Sequence, residues 1–281
     1  MATSVAPNAP AQPDTPGPGG RAAIAGRTLR QDRWWQSPAI SAAVLIGFVA
    51  YATWAAFANA NYYSAPYISP LYSPCLAVSC AHATAGHAIV NAPHIGIFGT
   101  WWPISPAIII LIFPLGFRLT CYYYRRAYYR SIWQSPTACA VVEPHRRYSG
   151  ETRFPLILQN IHRYFFYFGL IFNGILTYDA VVAFQNPGGQ WGHMGLGTVV
   201  LCVNAVLLWL YSLSCHSCRH IVGGRLKHFS KHPIRFRMWG FVSRLNRRHS
   251  NLAWASLIFV ALTDLYVRLV AGGAFHDPRF F

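Results

Sequence analysis

The chain has 281 residues, 54% of them hydrophobic and only 11% charged, against roughly 25% charged in an ordinary soluble domain. Its 23 Lys and Arg outweigh 7 Asp and Glu for a net charge of +16, yet no charged side chain occurs between Trp34 and Phe117. A basic nucleic-acid binder carries its charge as patches on a soluble fold and not beside long uncharged runs, so that class is excluded, and a soluble single-core enzyme with it.

The first 20 residues are mostly Ala, Pro and Gly. Such a stretch cannot bury enough surface to order itself, so residues 1–33 are expected to be a disordered tail. It is not read as a signal peptide, because the first apolar run starts too far along the chain and is long enough to span. About 20 apolar residues cross a hydrocarbon core roughly 30 Å thick, and five runs qualify. They extend from about Ala39 to Ala58, Ile104 to Tyr123, Phe154 to Phe184, Gly195 to Val222 and Asn251 to Ala271. The expected fold is an all-α, five-helix transmembrane bundle over residues 34–273, with 274–281 as a short tail. The third and fourth runs exceed one crossing and are expected to tilt or to extend into the interface. Trp34 with Trp35, and Trp101 with Trp102, fall where interfacial aromatic belts form.

Basic residues set the orientation. The tail carries 4, the segment from Arg118 to Arg163 carries 8 and the segment from Arg219 to Arg248 carries 9, which places 21 of 23 on one side. The N-terminus is thus predicted cytoplasmic and the C-terminus outside. Cys75 and Cys80 then lie in an outer loop, an oxidising location where a disulfide is expected. Cys139 falls in a polar inner loop, and Cys202 in the outer half of the fourth run reads as a small buried hydrophobe.

The other cysteines gather at the inner end. Cys121 ends the second run, while Cys215 and Cys218 end the fourth, interleaved with His216 and His220. His162 lies near the inner end of the third run and His249 opens the fifth. Ionisable groups at such depths are costly and usually functional, so three cysteines and four histidines from four helices point to a metal centre. A c-type haem site fails because Cys215-His216-Ser217-Cys218 is followed by Arg219 and not by His. A soluble Rieske domain fails for want of any Cys-x-x-His. Two thiolates and two imidazoles from separate helices, the ligand set of a Rieske-type [2Fe-2S] cluster, remain available. The candidates are Cys121, His162, Cys215, His216, Cys218 and His220. One helix cannot easily aim all of its own four at one point, so Cys121 and His162 with one Cys and one His from the fourth run is the easier geometry. A bis-His haem b, with His162 opposite His216 or His220, is the alternative.

With these features the chain resembles the membrane-anchor C subunit of succinate dehydrogenase, respiratory complex II, of the actinobacterial five-span type. The resemblance rests on the five runs, the basic inner loops including His145-Arg146-Arg147-Tyr148-Ser149-Gly150-Glu151-Thr152-Arg153, and the cluster from Cys215 to His220. It implies a bacterial plasma-membrane protein without a flavin site of its own, docking a flavoprotein and an iron-sulfur subunit and passing electrons from succinate to menaquinone. A higher oligomer is compatible with it. Familiar five-span anchors hold two haems b through four helix histidines, and this sequence lacks two of those sites, which favours the iron-sulfur centre. A quinone needs a flat apolar slot with a few placed donors. Arg118, Tyr122, Trp35 and Ser37, at the inner ends of the first two spans, are the candidates. Two further functions were weighed: a haem b anchor of another quinone oxidoreductase, and a transporter using Arg118, Asp179 and Asp264, which lie at different depths with no repeat-paired broken helices to join them.

Overall fold

The computed structural model describes residues 30, 32–75, 105–139, 141, 144, 152–154 and 156–281. Helix α1 (Gln36–Ala58) leads to a two-stranded antiparallel hairpin, β1 (Tyr63–Ser64) and β2 (Tyr67–Ile68). Next come α2 (Pro106–Leu119) and α3 (Tyr122–Tyr128), the latter continuing through a wide turn to Trp133. A 3-10 turn, Leu156–Ile161, runs straight into α4 (His162–Val182), followed by α5 (Leu196–Leu213), α6 (His216–Gly223), α7 (Pro233–Asn246) and α8 (His249–Ala271). Among the described residues four helical stretches are long and apolar enough to cross a membrane, and α2 with α3 makes a fifth if that bent pair is one span.

Two of the expected spans differ from single straight helices. Between α2 and α3 the axis turns by 82°. Thr120 donates its hydroxyl back to the Gly116 carbonyl at 2.7 Å, and Cys121 takes an extended conformation (φ −66°, ψ 131°), so the helix cannot continue. The run expected from 195 to 222 likewise stops at Leu213 and restarts at His216, with Cys215 extended at φ −63°, ψ 145°. The apolar composition that marks a span does not register two residues that leave the helical region.

Packing in the bundle uses close approach and internal polar contacts, as expected where lipid is as apolar as the helix surfaces. A Cβ on Gly116 would stand 2.3 Å from the Phe165 ring, and one on Gly169 would stand 2.9 Å from Phe117. These two glycines let α2 and α4 meet with each aromatic ring seated over the other helix's backbone. Asn173 on α4 donates to the Leu208 carbonyl at 3.2 Å and to Ser212 Oγ at 2.9 Å on α5.

At the hairpin end, residues 69–75 fold under the bundle and buried acids fix them. Asp264 on α8 pairs with Arg268 at 2.8 Å and accepts from Tyr51 at 2.5 Å and from Ser69. Arg268 also donates to the Ala55 and Ala60 carbonyls at 2.9 and 2.8 Å, which ties α1 to α8. Asp179 accepts from Ser73. Asp277 accepts from Tyr67 at 2.7 Å and Tyr266 at 2.5 Å, and burial pushes the Tyr67 phenol up to about 12. Cys75 is disulfide-bonded. Its expected partner Cys80, the pair Trp101 and Trp102, the first 29 residues and most of the loop from His145 to Arg153 lie outside the described residues.

Candidate metal centre

Four helix starts meet at the basic end of the bundle. Cys121 is the residue before α3 and Cys215 the residue before α6, His249 opens α8, and His162 opens α4 directly after its 3-10 turn. The two cysteines therefore sit where backbone N–H groups lack partners within the helix and the dipole complements negative charge. The Cys215 sulfur accepts the Ser217 N–H at 3.4 Å in this way. Cys121, Cys215 and His249 are buried, with 2, 1 and 1% of their surface exposed. His162 is half-buried.

The side chains stand as two crossed pairs. Cys121 Sγ lies 3.4 Å from His249 Nε2, and Cys215 Sγ lies 3.2 Å from His162 Nε2. On the far side of each ring a hydroxyl holds the other nitrogen: Thr120 Oγ1 is 2.8 Å from His162 Nδ1, and Ser214 Oγ is 2.6 Å from His249 Nδ1. Thus the hydroxyl residue before one cysteine orients the histidine that faces the other cysteine.

Proton counting fixes the tautomers. A hydroxyl has one proton to give. Thr120 gives its proton to the Gly116 carbonyl at 2.7 Å, and Ser214 to the Tyr211 carbonyl at 2.8 Å. Both hydroxyls must then accept from the imidazoles, so Nδ1 carries the proton in each ring and Nε2 presents a lone pair toward sulfur. A histidine whose distal N–H is held by a second group while the other nitrogen is bare is the arrangement found at metal-ligating histidines.

Aromatic rings wall the group. Tyr211 stacks on His249 with centroids 5.2 Å apart and planes 8° apart, Phe117 stacks on His162 at 5.1 Å, and Tyr123 meets His249 edge-on at 5.0 Å. One side opens to a cleft of about 750 Å³ bordered by all four side chains together with Gln159 and Asn246. Among the described residues no three His, Cys, Asp or Glu side chains close on a single metal ion.

The family model for the actinobacterial succinate dehydrogenase subunit SdhC matches residues 36–273. The chain belongs to this family. It is similar to a chain of the Mycobacterium smegmatis Sdh1 complex in the apo form, with 54% identity and a TM-score of 0.79 over 91% of this chain and 94% of that one. Among curated proteins none matches it. This SdhC-family chain is accordingly a multi-pass membrane anchor of succinate dehydrogenase and part of that enzyme complex, as the sequence resemblance implied.

Of the six ligand candidates named from the sequence of this anchor, the fold brings Cys121, His162 and Cys215 together. Cys218 is buried in the same apolar cluster as Cys121 and Cys215, beside Val242. His216 is exposed on the rim of the cleft, and His220 is exposed with its Nδ1 2.8 Å from Arg163. The fourth member is His249, which the sequence places in the converging set but not among the ligands. Of the quinone candidates, Ser37 lines a separate pocket of about 290 Å³ with Ser41, Tyr123, Arg126, Ser250 and Trp254. Tyr122 lies exposed on the larger cleft, and Trp35 is exposed. Arg118 borders neither space. It is buried between helices, donating to Tyr124 Oη at 2.7 Å and Ser256 Oγ at 3.1 Å.

Proposed function

We propose that this anchor passes electrons from the succinate dehydrogenase flavoprotein and iron-sulfur subunits to menaquinone through a Rieske-type [2Fe-2S] centre held by Cys121, Cys215, His162 and His249. The observation that carries this reading is the tautomer argument: two buried thiols and two imidazoles with bare Nε2 meet at one depth, each imidazole held from behind by a hydroxyl already committed as an acceptor. The donor set fits two thiolates and two neutral imidazoles. With its four donors shared between two irons, such a centre would not need three side chains around one ion. Cys121 and Cys215 would hold it as thiolates and His162 and His249 through Nε2, and loading would open the two Cys–His hydrogen bonds. When bound, the group supplies one-electron carriage between the soluble partner and the quinone.

The chain's own residues do the rest. Thr120 and Ser214 lock ring orientation, and Phe117 and Tyr211 exclude water from the buried side. The 290 Å³ pocket at the starts of α1 and α8 is the quinone slot in this reading, with Tyr123 and Trp254 as flat walls and Ser37, Ser41, Ser250 and Arg126 as donors for the two carbonyls. Tyr123 borders this pocket and touches His249, which puts the slot one ring away from the centre. The 750 Å³ cleft, open at the basic end, receives the iron-sulfur partner, and the 17 basic residues of the two inner segments, 8 plus 9, form the docking face. Residues 34–273 are the membrane domain, with the N-terminal tail cytoplasmic and the C-terminal tail outside.

Haem b between His162 and His216 or His220 finds less support, since both of the latter are exposed, His216 on the cleft rim and His220 against Arg163. The test is an EPR and optical spectrum of the purified complex. A low-field Rieske-like signal is expected, lost in a His162→Ala/His249→Ala variant that still oxidises succinate with a soluble dye and retained in His220→Ala. A b-type Soret band without that signal overturns the iron-sulfur assignment.

A further inference from the structure

Arg118 is 9% exposed at the level of the candidate centre, and among the described residues no carboxylate pairs with it. Asp264 is committed to Arg268, and Asp179 accepts from Ser73, both at the opposite end of the bundle. The partners of Arg118 are neutral: Tyr124 and Ser256 accept from it, and its guanidinium lies 4.9 Å over the Tyr211 ring. The opposite interaction of that same Tyr211 ring is the 8° stack on His249. A buried cation held only by hydroxyls and π faces is expensive unless a negative charge answers it.

We infer that Arg118 is the counter-charge for the reduced form of the inner centre, acting across the Tyr211 ring, and so raises its reduction potential. This rests on the iron-sulfur reading above. Two ferric ions, two sulfides and two thiolates sum to zero charge. One electron arriving from the iron-sulfur partner makes the group singly negative, with no bond formed or broken, and the same electron leaves to the quinone. A fixed positive charge nearby therefore stabilises the reduced form and leaves the oxidised, neutral form nearly untouched. Screening by water does not cancel this, because Arg118, Tyr211 and His249 are all buried. Tyr211 adds a second contribution: its hydroxyl is buried beside the Cys121 thiol and within reach of it. A thiolate at Cys121 would give that hydroxyl an acceptor, and hydrogen bonds to ligand sulfur are among the features that set such potentials. Arg118 is thus a positioning and tuning residue for the centre, acting without a bond to it.

The experiment is an EPR-monitored redox titration of the whole purified complex carrying Arg118→Gln, Arg118→Lys or Tyr211→Phe. Gln keeps a donor for Tyr124 or Ser256 but removes the charge. Its midpoint should fall by 59 mV for each tenfold loss of the reduced form's stability, with a loss of at least tenfold expected and the signal intact. Lys should restore the midpoint toward wild type. Tyr211→Phe should move it in the same direction as Gln. A wild-type midpoint in Arg118→Gln with full signal overturns the inference while leaving the centre itself in place. If that variant does not assemble, a wild-type midpoint in Arg118→Met, which also removes the charge, overturns it instead. A wild-type complex lacking any Rieske-like signal removes the underlying reading, an outcome distinct from an unmoved midpoint.

Discussion

Ser214→Ala deletes one hydroxyl and tests the orienting role of the residues behind the imidazoles. Its Oγ accepts His249 Nδ1–H at 2.6 Å, and His249 is 1% exposed, so no water can replace the lost acceptor. Leaving that buried N–H unpaired costs about 1–3 kcal/mol. Loss of such an outer partner typically weakens metal binding about 10- to 100-fold, which is about 1.4 to 2.8 kcal/mol, so two independent routes agree. Thr120→Val makes the same deletion behind His162, whose half-exposed ring borders the open cleft and can recruit solvent. The structure therefore orders the two, with Ser214→Ala the more damaging. The assay is iron retained by purified complex across a chelator series, scored beside the amplitude of the EPR signal. Iron retention in Ser214→Ala equal to wild type, or a larger loss in Thr120→Val, would refute the tautomer argument.

Ser41→Leu, in the pocket of about 290 Å³, should raise the apparent KM for menaquinone analogues while succinate oxidation with a soluble dye is unchanged. An unaltered quinone KM would move the slot elsewhere. Asp264→Ala strands Arg268 at 6% exposure and should cost about 3–5 kcal/mol, read as a lower Tm of the detergent-solubilised complex, whereas an unshifted Tm would show that the Ala55 and Ala60 carbonyls suffice for the cation. After mild reduction of intact cells an impermeant thiol reagent should label Cys75 or Cys80 and spare the exposed Cys139. Labelling of Cys139 alone would invert the orientation.

The crossings were legible because their signal is collective: runs such as 39–58 and 251–271 carry enough apolar side chains that no single residue decides them. The expected sidedness rests on the same kind of collective signal, 21 basic residues against 2. The breaks at Cys121 and Cys215 were not, since each depends on one extended residue and no Pro or Gly marks it. The dipeptides Thr120-Cys121 and Ser214-Cys215 are a shared signal, but Ser79-Cys80 and Ser217-Cys218 carry it too, so it does not select the right pair. Choosing His249 over His216 and His220 required knowing that α6 restarts after Cys215. In one continuous helix from 195 to 222, His216 and His220 lie on the same segment as Cys215 and look like natural partners. The break instead carries them to an exposed face. The surroundings of Arg118 were hidden for a related reason: its place in an apolar run does not say where the guanidinium goes, whereas the 82° turn after it brings Tyr124 back over the helix end and gives the guanidinium an internal acceptor.

The same breaks explain why thiols and imidazoles can share a depth in the membrane at all. A straight helix satisfies its own backbone and offers side chains only along its flank. By restarting at Cys121 and Cys215, and by bringing the starts of α4 and α8 to the same point, four chain segments instead present helix ends there, with free N–H groups beside the two cysteines able to answer negative charge on sulfur. The two interrupted helices supply the cysteines and the two helices that start there supply the histidines, so each Cys–His pair joins one element of each kind. The hydroxyl that ends α2 holds His162, and the one that ends α5 holds His249. Straightening either break would move a cysteine and a hydroxyl together, and would release the thiol of one pair and the imidazole of the other in a single step.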